Sequence, residues 1–262
     1  MYSYEREKKL GDKLSKQMDH SLVIIDDPLI SKCVNRVVQA LVNQSDVSYK
    51  ISVRLVYNNV EVNAYSLPAG HLYLTTGLLL DMQTESEMAM VMAHEIAHVA
   101  ARHDTRTWTR EILWGIPFFP MLKVPGPIGY SAMHLSSALS SLPVLKFDRG
   151  TEYEADLIGL EYAYAAGYDP QGMLELYQRS ADKDSHPSNF IVRLFDTHPS
   201  MKDRLIHARA EVSPVPPLHE QYVLDTSEFQ EAKQHLRDLV HDLQRAEEPI
   251  DPIDVNASAP SR

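Results

Sequence analysis

"TESEMAMVMAHEIAHVAARH", residues 84–103, carries the densest chemical signal in the chain. Thr84 suits a helix N-cap, and Glu87 three residues on completes a capping box, so a helix starts here. His94 and His98 stand at i and i+4, which puts two imidazoles on one helical face, one turn apart, where both reach one tetrahedral Zn²⁺. Glu95 lies beside them, placed to take a proton from a water that the metal activates. Chance produces HExxH in a chain of this composition only on the order of a few per cent of the time. Chance also has no need of a capped helix whose remaining positions, Met92, Ala93, Ile96, Ala97 and Val99, are apolar.

Two histidines leave a third ligand to be found, and spacing tests the candidates. The pattern HExxHxxGxxH requires Gly at 101 and His at 104, where the chain has Ala101 and Asp104; without the glycine, the helix is expected to run on to about residue 113 and carry residue 104 away from the metal. An arrangement with a Glu about twenty residues past the second His finds no acid in "IPFFPMLK". Asp104 and Glu111 lie on or at the end of the same helix, and a straight helix cannot fold them back to its own middle. Asp148 precedes the next helical register, that of "RGTEYEADLIGL", residues 149–160. Within that stretch Glu152 and Asp156 are i and i+4 on one face, whereas Glu154 points elsewhere. A ligand carboxylate with an orienting carboxylate one turn away is a sound metal-site pairing, but geometry leaves open which member binds.

Around this pair of helices the rest of the chain is ordered as follows. Residues 3–20 and 28–44 read as helices, the second with Leu29, Ile30, Cys33, Val37, Val38 and Leu41 on one face. "YKISVRLVY", residues 49–57, alternates as a strand, and "EVNAYSLPAGHLYLTT" reads as two strands turning at Pro68-Ala69-Gly70, giving a small antiparallel sheet. Helices are expected again from 148 to about 166, after Gly167 and Pro170, over 200–211 and over 227–245. The expectation is one domain over 1–245 with a disordered tail over 246–262, of α+β class and mostly helical.

The net charge of −11 and the absence of any Lys/Arg run argue against a nucleic-acid partner. Cys33 is the single cysteine and reads as a small buried thiol. The segment 112–145 has one charge, Lys123, but prolines 117, 120, 125 and 127 interrupt it, so it is expected to roof the cleft or touch a membrane surface rather than span one. The polar, helical N-terminus has no apolar signal core, which leaves a cytoplasmic chain or one whose leader lies outside this sequence.

In this order, "VNAYSLPAGHLYLTTGLL", "HEIAHVAARH", "RGTEYEADLIG" and "THPSMKDRL" resemble the peptidase family of the CAAX prenyl endopeptidases (family M forty-eight), which includes the HtpX, Oma-type and BepA-like proteases. The resemblance covers roughly residues 4–240 and is nearest to the soluble bacterial envelope members. It implies a gluzincin-like fold with an HExxH helix and a second ligand-bearing helix. It assigns Glu152 as the third zinc ligand beside His94 and His98, Asp156 as the partner of a ligand histidine, and Asn63 and Ala64 to an edge strand that pairs with extended substrate. It brings His198 toward the zinc from a loop; Arg204 follows on the next helix, where it either supplies charge to the reaction oxyanion or pairs with an acid.

His103 stands about 180° around an uninterrupted helix from His94, so a structural polar contact is expected of it rather than ligation. The remaining histidines show no ligand spacing. The expected protein is an endopeptidase with one Zn²⁺ per chain, acting on unfolded or misassembled polypeptides, with a periplasmic or envelope location implied by the resemblance. The rival expectation is a zinc-containing, chaperone-like binding protein whose site is closed.

Overall fold

The computed structural model of the protein describes residues 2–58, 62–106, 149–184, 201–213 and 222–247. The apolar segment 112–145, His198 and the tail from residue 248 fall outside them. Local signals start most elements. Ser3 caps α1 (Tyr4–Ser21). Asp27 accepts from the backbone N–H groups of Leu29 and Ile30, both at 3.0 Å, and Pro28 occupies the first turn of α2 (Pro28–Val42). Its expected apolar face is buried through Ile30, Cys33, Val34, Val37, Val38 and Leu41, but Leu29 is 45% exposed, at the solvent side of the first turn.

Four strands form one sheet: β1 (Ile24–Ile25), β2 (Ser52–Val56), β3 (Ala64–Leu67) and β4 (His71–Thr75), in the order β1-β2-β4-β3. The β3–β4 hairpin is antiparallel and turns at Pro68-Ala69-Gly70, with Ala69 at φ +64° and Gly70 at φ +89°. The expected all-antiparallel sheet is corrected: β4 inserts between β3 and β2 and runs parallel to β2, with Val53 opposite Leu72 and Leu55 opposite Leu74. After β2 the chain skips one place to form β3, at the edge of the sheet among the described residues, and returns through β4. Only the hairpin has a turn signal, so only the hairpin is legible locally. Helix α1 lies against this turn so closely that a Cβ at Gly11 would sit 1.9 Å from the carbonyl oxygen of Pro68.

Helix α3 (Thr76–Asp81) leads from β4 to α4 (Glu85–Ala100). Half of the capping signal works as read: Thr84 Oγ1 accepts from Glu87 N–H, while Glu87 Oε2 accepts from the N–H of Gln83, one residue before the cap, at 2.7 Å. Every residue of α4 from Glu85 to Val99 is buried. Helices α5 (Arg149–Ala165), α6 (Gln171–Asp184) and α2 surround it together with β3, and α7 (Met201–Val212) closes on α5 and α6. Helix α8 (Ser227–Glu247) packs Phe229, Ala232, Leu236 and Val240 onto α2 and α3, and continues two residues past the expected end at 245. Among the described residues no helix is long and apolar enough to cross a membrane.

The expected uninterrupted run of α4 toward residue 113 is corrected at residues 101–102; helical backbone resumes over 103–106, and residues 107–113 lie outside the described residues. The helix ends at Ala100, and Arg102 adopts φ +56°, a left-handed conformation that glycine favours. Tertiary contacts hold it there: Arg102 Nε donates to Glu7 Oε2 of α1 at 2.6 Å, Nη2 donates to the Tyr2 carbonyl at 2.6 Å, and the guanidinium lies 4.5 Å from the Tyr4 ring centre. The break turns His103 back toward α4.

Candidate metal centre

Helices α4 and α5 bring His94, His98 and Glu152 to one point. The two Nε2 atoms are 2.9 Å apart, His98 Nε2 is 3.5 Å from Glu152 Oε1, and His94 Nε2 is 3.6 Å from Glu152 Oε2. His98 and Glu152 are fully buried and His94 is 5% exposed. Donors holding a tetrahedral cation at about 2.0–2.1 Å stand about 3.3 Å from one another. The three observed separations bracket that value, so this buried set of two imidazoles and a carboxylate fits a divalent cation. Among the described residues it is the one cluster of this kind.

The two helices approach closely because Gly159 of α5 faces the backbone of α4 at His94. Residues Glu152, Asp156 and Gly159 therefore line the same side of α5. Asp156 Oδ1 lies 2.9 Å from His94 Nδ1 and accepts a hydrogen bond from it, which leaves the lone pair of Nε2 directed at the cluster.

Asp156 is itself held by two further groups. Tyr177 of α6 donates its hydroxyl to Oδ1 at 2.6 Å, and Arg204 of α7 forks onto the carboxylate with Nε to Oδ2 at 2.9 Å and Nη2 to Oδ1 at 2.5 Å. Arg204 Nη1 is 3.3 Å from Glu152 Oε2, so one buried guanidinium serves both carboxylates. Burial alone would raise the Asp156 carboxyl; the charge of Arg204 and the hydrogen bonds from His94 and Arg204 hold it well below the usual carboxylate range. Arg204 thus pairs with acids, one of the two roles left open for it.

Glu95 is buried on α4 beside His94. Asn63 and Ala64 stand where β3 begins, at the sheet edge and against α4. Asn63 N–H donates to Thr75 Oγ1 at 3.0 Å, and Asn63 Oδ1 accepts from Ala64 N–H at 2.9 Å. His198 lies outside the described residues.

Sequence reasoning missed two participants. Tyr177 carries no spacing signal and is recruited because α6 packs on α4 and α7. Glu154, set aside by helical geometry, has its Oε2 3.3 Å from His103 Nε2, and His103 Nδ1 is 2.9 Å from His98 Nδ1. His103 makes the polar contact expected of it, but by the break at Arg102 rather than from an uninterrupted helix. Burial pushes this imidazole below its ordinary range, against the pull of Glu154.

A sequence profile described as peptidase family M48 matches residues 28–212. The chain is 32% identical over 223 residues to the "Beta-barrel assembly-enhancing protease" of Yersinia pestis, covering 82% of this chain and 46% of that protein. It is 34% identical over 151 residues to the "Mitochondrial metalloendopeptidase OMA1" of Arabidopsis thaliana, covering 57% and 29%. It is 26% identical over 211 residues to the "Metalloprotease LoiP" of Escherichia coli (strain K12), covering 79% and 80%. The chain thus spans about half the length of the first of these relatives. The matched region runs from the start of α2 to the end of α7 and includes the histidine pair of α4, Glu152 and Asp156 of α5, and Arg204: the chain belongs to peptidase family M48.

Proposed function

We propose that the protein is a zinc-dependent endopeptidase. The observation that carries the reading is the convergence of His94, His98 and Glu152 on one buried point, with Glu95 on the same helix. A donor set of two imidazoles and one carboxylate suits zinc better than harder cations. Held by these three residues, one zinc per chain would supply Lewis acidity to the scissile carbonyl and would acidify a water. Glu95 accepts the proton of that water as it attacks and hands it to the leaving amine. Asp156, clamped by Arg204 and Tyr177, keeps the His94 ring in the tautomer and orientation its role requires. The β3 edge beginning at Asn63–Ala64 supports docking of an extended chain as an added strand, since among the described residues no strand pairs with its outer side.

Strand addition selects for backbone that is free to extend, so the substrates are unfolded or misassembled polypeptides. The name of the Yersinia pestis relative, which refers to β-barrel assembly, supports quality control in the cell envelope, with a periplasmic location, as the setting. The test is metal analysis joined to incubation with a denatured protein. Stoichiometric zinc, fragments that vanish with chelator, and a Glu95→Gln variant that keeps zinc but loses about 10²–10⁴-fold in cleavage are expected. Full cleavage by Glu95→Gln would refute the mechanism. Protection from aggregation without fragments, unaffected by chelator, would favour the chaperone-like alternative.

A further inference from the structure

We infer that His103 and Glu154 are positioning residues for the centre: a hydrogen-bonded chain, His98 Nδ1–H to His103 Nδ1 and His103 Nε2–H to Glu154 Oε2, fixes the tautomer of His98 and ties the buried cluster to the protein surface. This deepens the metal-centre reading and rests on it.

The direction of the chain follows from elementary valence. A neutral imidazole carries its proton on one ring nitrogen. His98 Nε2 points into the cluster, 2.9 Å from His94 Nε2 and 3.5 Å from Glu152. For Nε2 to offer a lone pair there, the proton of His98 must sit on Nδ1. His103 Nδ1 lies 2.9 Å from that Nδ1, and in the hydrogen bond between the two it must then be the acceptor. His103 in turn must carry its proton on Nε2, where Glu154 Oε2 lies at 3.3 Å. The reverse direction would put a proton on His98 Nε2 and remove that donor from the set.

A carboxylate at the far end makes His103 a better acceptor and, through it, His98 a better electron donor. His103 is fully buried, whereas the Glu154 side chain is 47% exposed beside the equally open Arg106. The chain exists because Arg102 breaks α4 with a positive φ and because α5 carries Glu154 two residues from Glu152. All three acids of "RGTEYEAD" are thereby spoken for by imidazoles: Glu152 at the cluster, Asp156 on His94, and Glu154 on the partner of His98.

The experiment measures Zn²⁺ affinity of the 262-residue chain by competition with a chromogenic chelator, and the visible absorption of the Co²⁺-substituted protein. His103→Leu, which deletes the acceptor, should weaken Zn²⁺ binding about 10–100-fold and alter the Co²⁺ spectrum. His103→Asn keeps an acceptor oxygen where Nδ1 stands and should restore most of the affinity and the spectrum. Glu154→Gln, at an exposed position that leaves the fold untouched, should weaken binding several-fold, while Glu161→Gln on the exposed side of α5 should not. Equal affinity in wild type, His103→Leu and Glu154→Gln would overturn the inference while leaving the centre intact. Failure of the wild-type chain to bind Zn²⁺ would remove the centre itself, and the inference with it. If His103→Leu does not fold, the comparison of Glu154→Gln with Glu161→Gln decides the matter.

Discussion

Gly159 lies against the backbone of His94, where a Cβ would come within 2.9 Å of the His94 nitrogen and 3.0 Å of its Cα. The helix carrying Glu152 and Asp156 approaches the helix carrying the two histidines through this one missing side chain. On an isolated helix, Gly→Ala stabilises by about 1 kcal/mol. Here the sign reverses, because the obstacle is backbone rather than a flexible side chain. Gly159→Ala is expected to lower stability by about 1–3 kcal/mol in denaturant unfolding and to weaken metal binding by at least about tenfold, as the ligand sets part. Unchanged affinity would mean that the helix spacing does not govern the centre.

The clamp on Asp156 predicts two unequal effects. Tyr177→Phe removes one hydroxyl donor from a carboxylate that keeps Arg204, and should cost about 1–2 kcal/mol with metal affinity within a few-fold of wild type. Asp156→Asn leaves the buried Arg204 without its closest counter-charge and should cost about 3–5 kcal/mol in the metal-free protein. Thermal unfolding with chelator present compares the two.

Asp104 gives a pH prediction of the opposite sign from most carboxylates. It is buried, and among the described residues neither of its oxygens has a hydrogen-bond partner. Burial, with Glu95 and Glu7 nearby, raises its pKa well above the ordinary 3.8. The folded state therefore holds a proton that the unfolded chain releases near pH 4, so stability is complete below that value and is lost as pH rises toward the folded pKa. Asp104→Asn is expected to unfold at a higher temperature than wild type at pH 8, with the difference closing toward pH 4. Each kcal/mol gained appears as about 2–4 °C in a chain of this size.

Glu85 behaves in the usual direction. Burial raises its pKa, but hydrogen bonds from Arg36 at 2.7 and 2.9 Å and from Thr226, with the Arg36 charge, lower it overall. Its contribution is present above the unfolded value near 4.5 and is lost as pH falls through the lower folded value. Arg36→Gln is expected to cost about 2 kcal/mol at pH 7, less than for a fully buried pair because the Arg36 side chain is 39% exposed, and to flatten the acid side of the stability profile.

Much of the centre was legible before any fold was known. HExxH and its capping box act within a single helix, and the i, i+4 relation of Glu152 to Asp156 holds on any helix, whatever packs on it. The β3–β4 turn was legible for the same reason, since Pro68-Ala69-Gly70 acts on its own neighbours. Resemblance, rather than spacing, chose Glu152 over Asp156 as the ligand. The structure gives the choice a geometry, with Glu152 facing both Nε2 atoms and Asp156 facing His94 Nδ1.

What the sequence by itself determined is therefore the helices other than the short α3, and the faces on which their chemical groups lie, because hydrogen bonding and side-chain periodicity over a few residues specify both. The tertiary structure alone decided how these faces meet. The parallel pairing of β2 with β4 joins strands that no turn connects, and the left-handed Arg102 is held by Glu7 and Tyr2, about a hundred residues away in the chain. Recruitment of Tyr177, Arg204 and the His103–Glu154 pair depends in the same way on long-range packing around α4. Those contacts are fixed by which surfaces bury one another, and no local pattern encodes that.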